Sequence, residues 1–210
     1  MIYEPAEDSF LLAEEVKRYC KGKKFLDMGA GSGIQSQTAM KNKAKSALGV
    51  DINEESSLIF EKMRIPFILS DLFSNVKGKF DLIVFNPPYF PLKSSQASPI
   101  PGRDAARREV YGTLQNFCAV GQAALSNSAQ AGLYAILPTL RAAEFKGYFT
   151  HDFSVLRTKD VQAQPMQQAR QSMFHVVRGT MPGTIEPPLI THQDGAFSPE
   201  VAELLGSLIQ

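Results

Sequence analysis

The sequence is poor in the residues that cross-link chains or cage metals. Its 210 residues include 2 cysteines, Cys20 and Cys118, which form neither a disulfide framework nor a metal-ligand spacing. The three histidines, His151, His175 and His192, stand apart from one another and from both cysteines, so no metal site is read. No apolar run approaches the ~18 residues of a membrane span, and no signal peptide precedes Met1-Ile2-Tyr3. With thiols of this kind, the expectation is a cytoplasmic protein. The formal net charge is only +1, so the overall balance selects no partner. Residues 93–178 are nevertheless net positive and the last thirty or so are acidic. A basic middle suits phosphates, and equally an ordinary solvated surface.

What is present is a regular alternation of strand and helix in the first 90 residues. Pro5 suits a first helical position, the acids after it suit the positive end of a helix, and Gly22 suits its close. Phe10, Leu11, Ala13 and Val16 make a helical stripe over residues 1–22. Phe25-Leu26-Asp27-Met28 reads as a strand. Gly29-Ala30-Gly31-Ser32-Gly33 follows at once, with a helix from Ile34 to Met40. These glycines permit a tight turn and a close ligand approach, although the run is one residue short of the G-x-G-x-x-G fingerprint. A second strand, Ser46 to Val50, ends at Asp51-Ile52. Asp51 lies 22 residues after Gly29, near the spacing of an acid that binds ribose hydroxyls. A helix over 53–63 leads to a third strand at Pro66–Leu69, which ends at Ser70-Asp71-Leu72.

The fourth strand, Phe80 to Phe85, stops at Asn86-Pro87-Pro88-Tyr89. Two successive prolines lack the N–H a ladder requires, so the chain must turn just past the strand's carboxyl end. In an open α/β sheet that is where ligands bind. Asn86 offers a side-chain carbonyl, Pro87 a backbone carbonyl and Tyr89 a ring, a set that suits a flat group bearing an NH2. A loop that only terminates a strand is the alternative.

The remainder reads as a loop at 90–103 placed to contact substrate, a helix at about 104–126, a strand at Gly132–Pro138, and a helical segment at 139–144. Strands at about 149–157 and 172–178 flank a polar arm. Ser198 and Pro199 are a good N-cap and first position for a final helix. The chain is expected to form one domain over residues 1–210.

Taken together, the glycine run, Asp27, Asp51, Asp71 and Asn-Pro-Pro-Tyr at four successive strand ends resemble the class I S-adenosylmethionine (SAM)-dependent methyltransferases. The resemblance implies a Rossmann-like α/β fold, with a seven-stranded, mostly parallel sheet, helices on both faces and the last strand antiparallel. It implies that SAM binds at Asp27, Gly29, Ala30, Gly31, Gly33, Asp51, Ile52, Asp71, Leu72 and Asn86. Residues 1–22 would lie over that site, with Glu4 and Asp8 as further possible contacts. Each acid also has a structural alternative: Asp27 capping the glycine loop, Asp51 capping the helix near Asn53, Asp71 in a turn. Asn-Pro-Pro-Tyr is the signature of amino-methylating members. It implies that Asn86 and Pro87 accept the two hydrogens of a substrate NH2, with Tyr89 stacked on the planar group and Pro88 beside it.

The two halves imply different acceptors. Tyr-Glu-Pro-Ala-Glu-Asp-Ser-Phe-Leu-Leu at the start, Leu-Asp-Met-Gly-Ala-Gly-Ser-Gly-Ile and Phe-Asn-Pro-Pro-Tyr are similar to the archaeal and eukaryotic HemK-type glutamine methyltransferases. Residues 103–109 (Arg-Asp-Ala-Ala-Arg-Arg-Glu) and the end from Asp194-Gly195 to Val201 are similar to bacterial tRNA adenine-N6 methyltransferases. The downstream half builds most of a substrate face, so adenine N6 in tRNA is the first expectation, with Arg103 and Arg107 on phosphates. Glutamine in a release factor or another protein is the second. A SAM-holding protein without turnover and a nicotinamide oxidoreductase are weaker readings, since no other nicotinamide feature is found.

Overall fold

The structure, a computed structural model, describes residues 5–71, 75–87 and 113–209. Among these, α1 (Glu7–Tyr19), β1 (Lys24–Met28), α2 (Ile34–Lys41), β2 (Ser46–Asp51), α3 (Glu54–Met63), β3 (Phe67–Leu69) and β4 (Leu82–Phe85) follow in turn. After residue 113 come α4 (Leu114–Ala124), β5 (Gly132–Pro138), a short 3-10 turn at Thr139–Arg141 and α5 (Ala142–Gly147). Then come β6 (Phe153–Gln162), β7 (Gln171–Arg178), β8 (Thr184–Ile190), the small hairpin of β9 (His192–Gln193) and β10 (Ala196–Phe197), and α6 (Pro199–Ile209).

The main sheet has the order β3-β2-β1-β4-β5-β7-β6-β8. β7 is antiparallel to both its neighbours, β5 and β6, and every other pairing in the sheet is parallel. The expected seven strands are therefore joined by an eighth, β8, which extends the edge beyond β6. Its sequence, Thr-Ile-Glu-Pro-Pro-Leu-Ile, hides it: two prolines argue against a strand, and only an edge position tolerates them. The sixth strand also runs five residues past its expected end, so the polar arm shrinks to the turn between Gln162 and Gln171.

Strand alternation sends side chains to two cores. Along β4, Ile83 and Phe85 join the core beneath α4 and α5, with Phe117, Phe145 and Phe174. Leu82 and Val84 join the opposite core, with Leu11, Leu12 and Val16 of α1 and Phe60 of α3. A strand buried on both faces reads as a continuous apolar run, as Leu-Ile-Val-Phe does. Each fully buried Leu or Phe contributes roughly 1.5–3 kcal/mol relative to an exposed one. These two cores hold the strand ends in place.

Two local expectations shift. The first helix starts at Glu7, with Ala6 as its N-cap, so Pro5 precedes the helix rather than opening it. It ends at Tyr19 with Cys20 as C-cap, and Gly22 takes its left-handed conformation two residues later. Phe10 is only half-buried, while Asp8, Ser9 and Glu15 are buried on this helix. Ser198 performs as foreseen: its hydroxyl accepts from the Val201 N–H at the start of α6.

Candidate active site

Parallel register brings the candidate residues to one level. Met28 pairs with Val50 on one side and Phe85 on the other, so Gly29, Asp51 and Asn86 follow side by side at the carboxyl edge. β3 adds its end next to β2, where the Ser70 N–H donates to the Asp51 carbonyl at 2.9 Å. The switch point of the sheet lies between β1 and β4, and the site spans it from Asp51 after β2 to Asn86 after β4.

The glycine loop is built by left-handed backbone at Gly29 (φ 72°), Gly31 (φ 48°) and Gly33 (φ 73°), conformations side chains resist. The Gly29 and Ala30 N–H groups both donate to the Val50 carbonyl, at 2.9 and 3.0 Å. Asp51 clamps the loop from the other side. Its Oδ2 accepts the Gly31 N–H at 2.7 Å and its Oδ1 accepts the Asn53 N–H at 2.8 Å. Each carboxylate oxygen keeps a further acceptor position, which suits two vicinal hydroxyls. A Cβ added at Gly31 would have no non-neighbouring atom nearer than the Gly29 carbonyl at 4.0 Å, so the loop faces open space there. A ligand bearing vicinal hydroxyls, as SAM does, suits these features. Ile52, next in the chain, is 41% exposed, an uncovered aliphatic surface beside the carboxylate. Asp71 is exposed and accepts from the Ser70 hydroxyl at 3.4 Å.

Asp27 lies beneath the loop, 2% exposed. Its Oδ2 accepts from the Ser36 backbone N–H at 3.0 Å and the Ser36 hydroxyl at 2.8 Å, so it ties β1 to the first turn of α2 rather than capping the glycine loop. Burial pushes its carboxyl up to about 7, against the Ser36 hydrogen bonds, and the neighbouring Asp51 charge adds to the rise.

The Asn86 side chain is held at one end and unused at the other. Its Nδ2 donates to Oδ2 of Asp8, on the first turn of α1, at 3.1 Å. Its Oδ1 is buried and accepts no hydrogen bond. Such buried acceptors are rare, because leaving one unmade costs about 1–3 kcal/mol. Pro87 follows, buried. Leu72, Pro88, Tyr89, Arg103 and Arg107, with Glu4 and the loop at 90–103, lie outside the described residues. The family resemblance offers Asp8 only as a cofactor contact. Its signal was present: Asp8 and Glu15 are three or four residues from Leu11 and Leu12, so these acids share the apolar stripe of α1.

Among the described residues, no group of three or more His, Cys, Asp or Glu side chains is arranged to hold a metal, and no helix is long and apolar enough to cross a membrane.

This architecture, a mostly parallel Rossmann-like sheet with helices on both faces and a glycine loop after β1, is a fold shared with solved methyltransferase structures. Residues 7–98 match the family described as Methyltransferase small domain. Over 101 residues the chain is 43% identical to a protein of Methanocaldococcus jannaschii named for protein N5-glutamine methyltransferase activity, a match covering 45% of this chain and 51% of that one. It is 38% identical over 86 residues to the ribosomal RNA small subunit methyltransferase C of Mannheimia succiniciproducens, covering 38% of this chain and 26% of that one. These matches span about half or less of the curated relatives' length. A crystal structure described as a predicted O-methyltransferase from Agrobacterium tumefaciens shares the fold, with TM-score 0.71, 18% identity and coverage of 93% of this chain and 96% of that one.

Proposed function

We propose that this chain is a SAM-dependent N-methyltransferase that acts on a planar NH2, with adenine N6 of RNA, in particular tRNA, as its acceptor. The observation that carries the proposal is the buried, unpartnered Oδ1 of Asn86. A buried hydrogen-bond acceptor left without a partner at a proline-locked corner calls for a donor, and the NH2 of an adenine or a primary amide supplies one.

In this reading Asn86 Oδ1 and the Pro87 carbonyl accept the two amine hydrogens, which turns the nitrogen lone pair out of the acceptor plane. Tyr89 stacks on that plane, worth ~1–3 kcal/mol for a base. When bound, SAM would be held by Asp51 at its ribose hydroxyls, by Asp71 at its adenine amine and by the Gly29–Gly33 backbone at its methionine end. Ile52 and Leu72 would pack on its adenine ring. Asp27 works from within the core, fixing β1 to α2. When bound, SAM supplies a methyl on a sulfonium whose leaving group is a neutral thioether. The protein therefore needs no strong base, and its contribution is orientation and placed dipoles. The proposal treats residues 1–210 as one catalytic domain.

Support for RNA comes from the downstream half, where residues 103–109 and 194–201 are similar to tRNA adenine-N6 methyltransferases and Arg103 and Arg107 suit phosphates. A second reading, methylation of a protein glutamine such as that of a release factor, is favoured by one finding: the 43% identity over 101 residues to a protein named for N5-glutamine methylation. That match covers 45% of this chain.

The test is incubation of the full chain with tritiated SAM and either total tRNA or a release factor. Label recovered from RNA as N6-methyladenosine is the expected result, with RNA affinity falling steeply as salt rises. Label confined to protein overturns the RNA acceptor. Asn86→Ala should bind SAM and transfer nothing; retained turnover removes Asn86 from the chemistry.

A further inference from the structure

We infer that Asp8 is a positioning residue for Asn86, so that docking of helix α1 completes the acceptor corner. The inference rests on the proposed methyl transfer, and it concerns a residue 78 positions away in the chain. An asparagine side chain is nearly two-fold symmetric in shape, and its terminal torsion is broad. Turned by half a revolution, it would present Nδ2 where Oδ1 now stands, and a substrate NH2 would meet a donor instead of an acceptor. Nothing in Asn86 itself chooses between these states.

Asp8 makes the choice. A carboxylate offers only acceptor oxygens, so it accepts the hydrogen bond of Nδ2 and repels a carbonyl oxygen placed there. Oδ1 is thereby turned the other way, which is where it stands buried without a partner. The charge has a second effect. A hydrogen bond to a carboxylate polarises the amide and makes its carbonyl a stronger acceptor. Asp8 is itself held in place, 4% exposed, with Oδ1 accepting the Ser9 N–H at 2.7 Å. The Ser9 carbonyl in turn accepts from Gln35 Nε2 of α2 at 2.8 Å. A continuous set of contacts thus joins the acceptor corner, the first turn of α1 and the helix that follows the glycine loop. Farther along α1, Glu15 pairs with Arg157 of β6, anchoring the helix to the far side of the sheet. Asp8 therefore reports whether α1 is seated.

The experiment compares Asp8→Ala and Asp8→Asn in the full chain, with SAM affinity measured by calorimetry and folding by circular dichroism. The direct readout needs no acceptor: hydrogen exchange of the Asn86 carboxamide in 15N-labelled protein, its signals identified by their loss in Asn86→Ala. Asp8→Ala should speed that exchange at least about tenfold. It should also lower kcat about 10–100-fold, the scale of a misplaced reacting group, while KM and SAM affinity stay within about threefold. Asp8→Asn, able to offer a neutral carbonyl to Nδ2, should restore part of both. Unchanged Asn86 exchange in both variants overturns the inference, as does a kcat loss that Asp8→Asn does not relieve. If the wild type methylates neither acceptor, the methyl-transfer reading fails, while the exchange measurement still decides the link between Asp8 and Asn86.

Discussion

Replacing Asp27 with asparagine should stabilise the protein at about pH 8 and leave its stability almost unchanged at about pH 4. Asp27 is enclosed between β1 and α2, where burial raises its carboxyl from the ordinary 3.8 to about 7. Between those values the folded protein holds a proton that the unfolded chain has released. A group raised in this way contributes stability fully below its unfolded value, and that stability is lost as pH rises through the folded one. The interval corresponds to about 4 kcal/mol at 1.36 kcal/mol per unit. Asparagine mimics the protonated form: its carbonyl can replace Oδ2 as the acceptor for both Ser36 donors. The gain of Asp27→Asn over wild type should therefore grow from near zero at about pH 4 toward about 4 kcal/mol at about pH 8. His175 acts with the opposite sign. Burial, with Arg157 and Lys23 nearby, lowers it from 6.5 to about 4. It contributes stability above its unfolded value that is lost as pH falls through the folded one, about 3 kcal/mol in all. The two slopes oppose each other between about pH 4 and 6.5, so the wild-type curve alone is uninformative there, and only differences between variants separate them. Urea unfolding of wild type, Asp27→Asn and His175→Gln at half-unit intervals measures both. A gain for Asp27→Asn that does not change with pH, or a loss at about pH 8, refutes the account of a desolvated carboxyl.

The other predictions concern the same neighbourhood. Asp51→Asn leaves one carbonyl oxygen for the two N–H groups of Gly31 and Asn53, so SAM affinity should fall at least about tenfold, since an unmet buried donor costs about 1–3 kcal/mol; calorimetric binding at wild-type strength would remove Asp51 from the cofactor site. Gly49→Ala places a Cβ 2.2 Å from Cε1 of Phe60, a ring with no exposed surface, and should destabilise by ~1–3 kcal/mol through overpacking, read as a lower urea midpoint. Asn53→Ala deletes the cap on the Glu55 N–H at 3.0 Å and should cost about 1 kcal/mol in the same assay, with SAM affinity nearly preserved. His175→Gln should gain relative to wild type as pH falls from about 6.5 to 4, the converse of the histidine slope.

Much of this protein is written in local patterns. Alternating strands and helices follow from apolar period and punctuation: glycines after β1, two prolines after β4, Ser198 before α6 and Pro199 at its first position. Short-range rules of backbone conformation act on neighbours in the chain, and so they survive in a linear reading. The polar residues at the ends of β1, β2, β3 and β4 were legible for the same reason, because each closes an apolar run. Edge strand β8 was not, since its prolines contradict a strand until its place beside β6 is known. Neither was the use of each acid. Asp27 stands one residue before the end of β1, yet it turns to Ser36 rather than outward, a choice made by the packing of α2. Asp8 and Asn86 meet only when α1 seats on the sheet, through Leu11, Leu12 and Val16 in one core and Glu15 against Arg157. A hydrogen bond across 78 residues has no local signature. It exists because two separately buried surfaces bring a carboxylate and an amide together, and that contact decides which end of Asn86 faces the site.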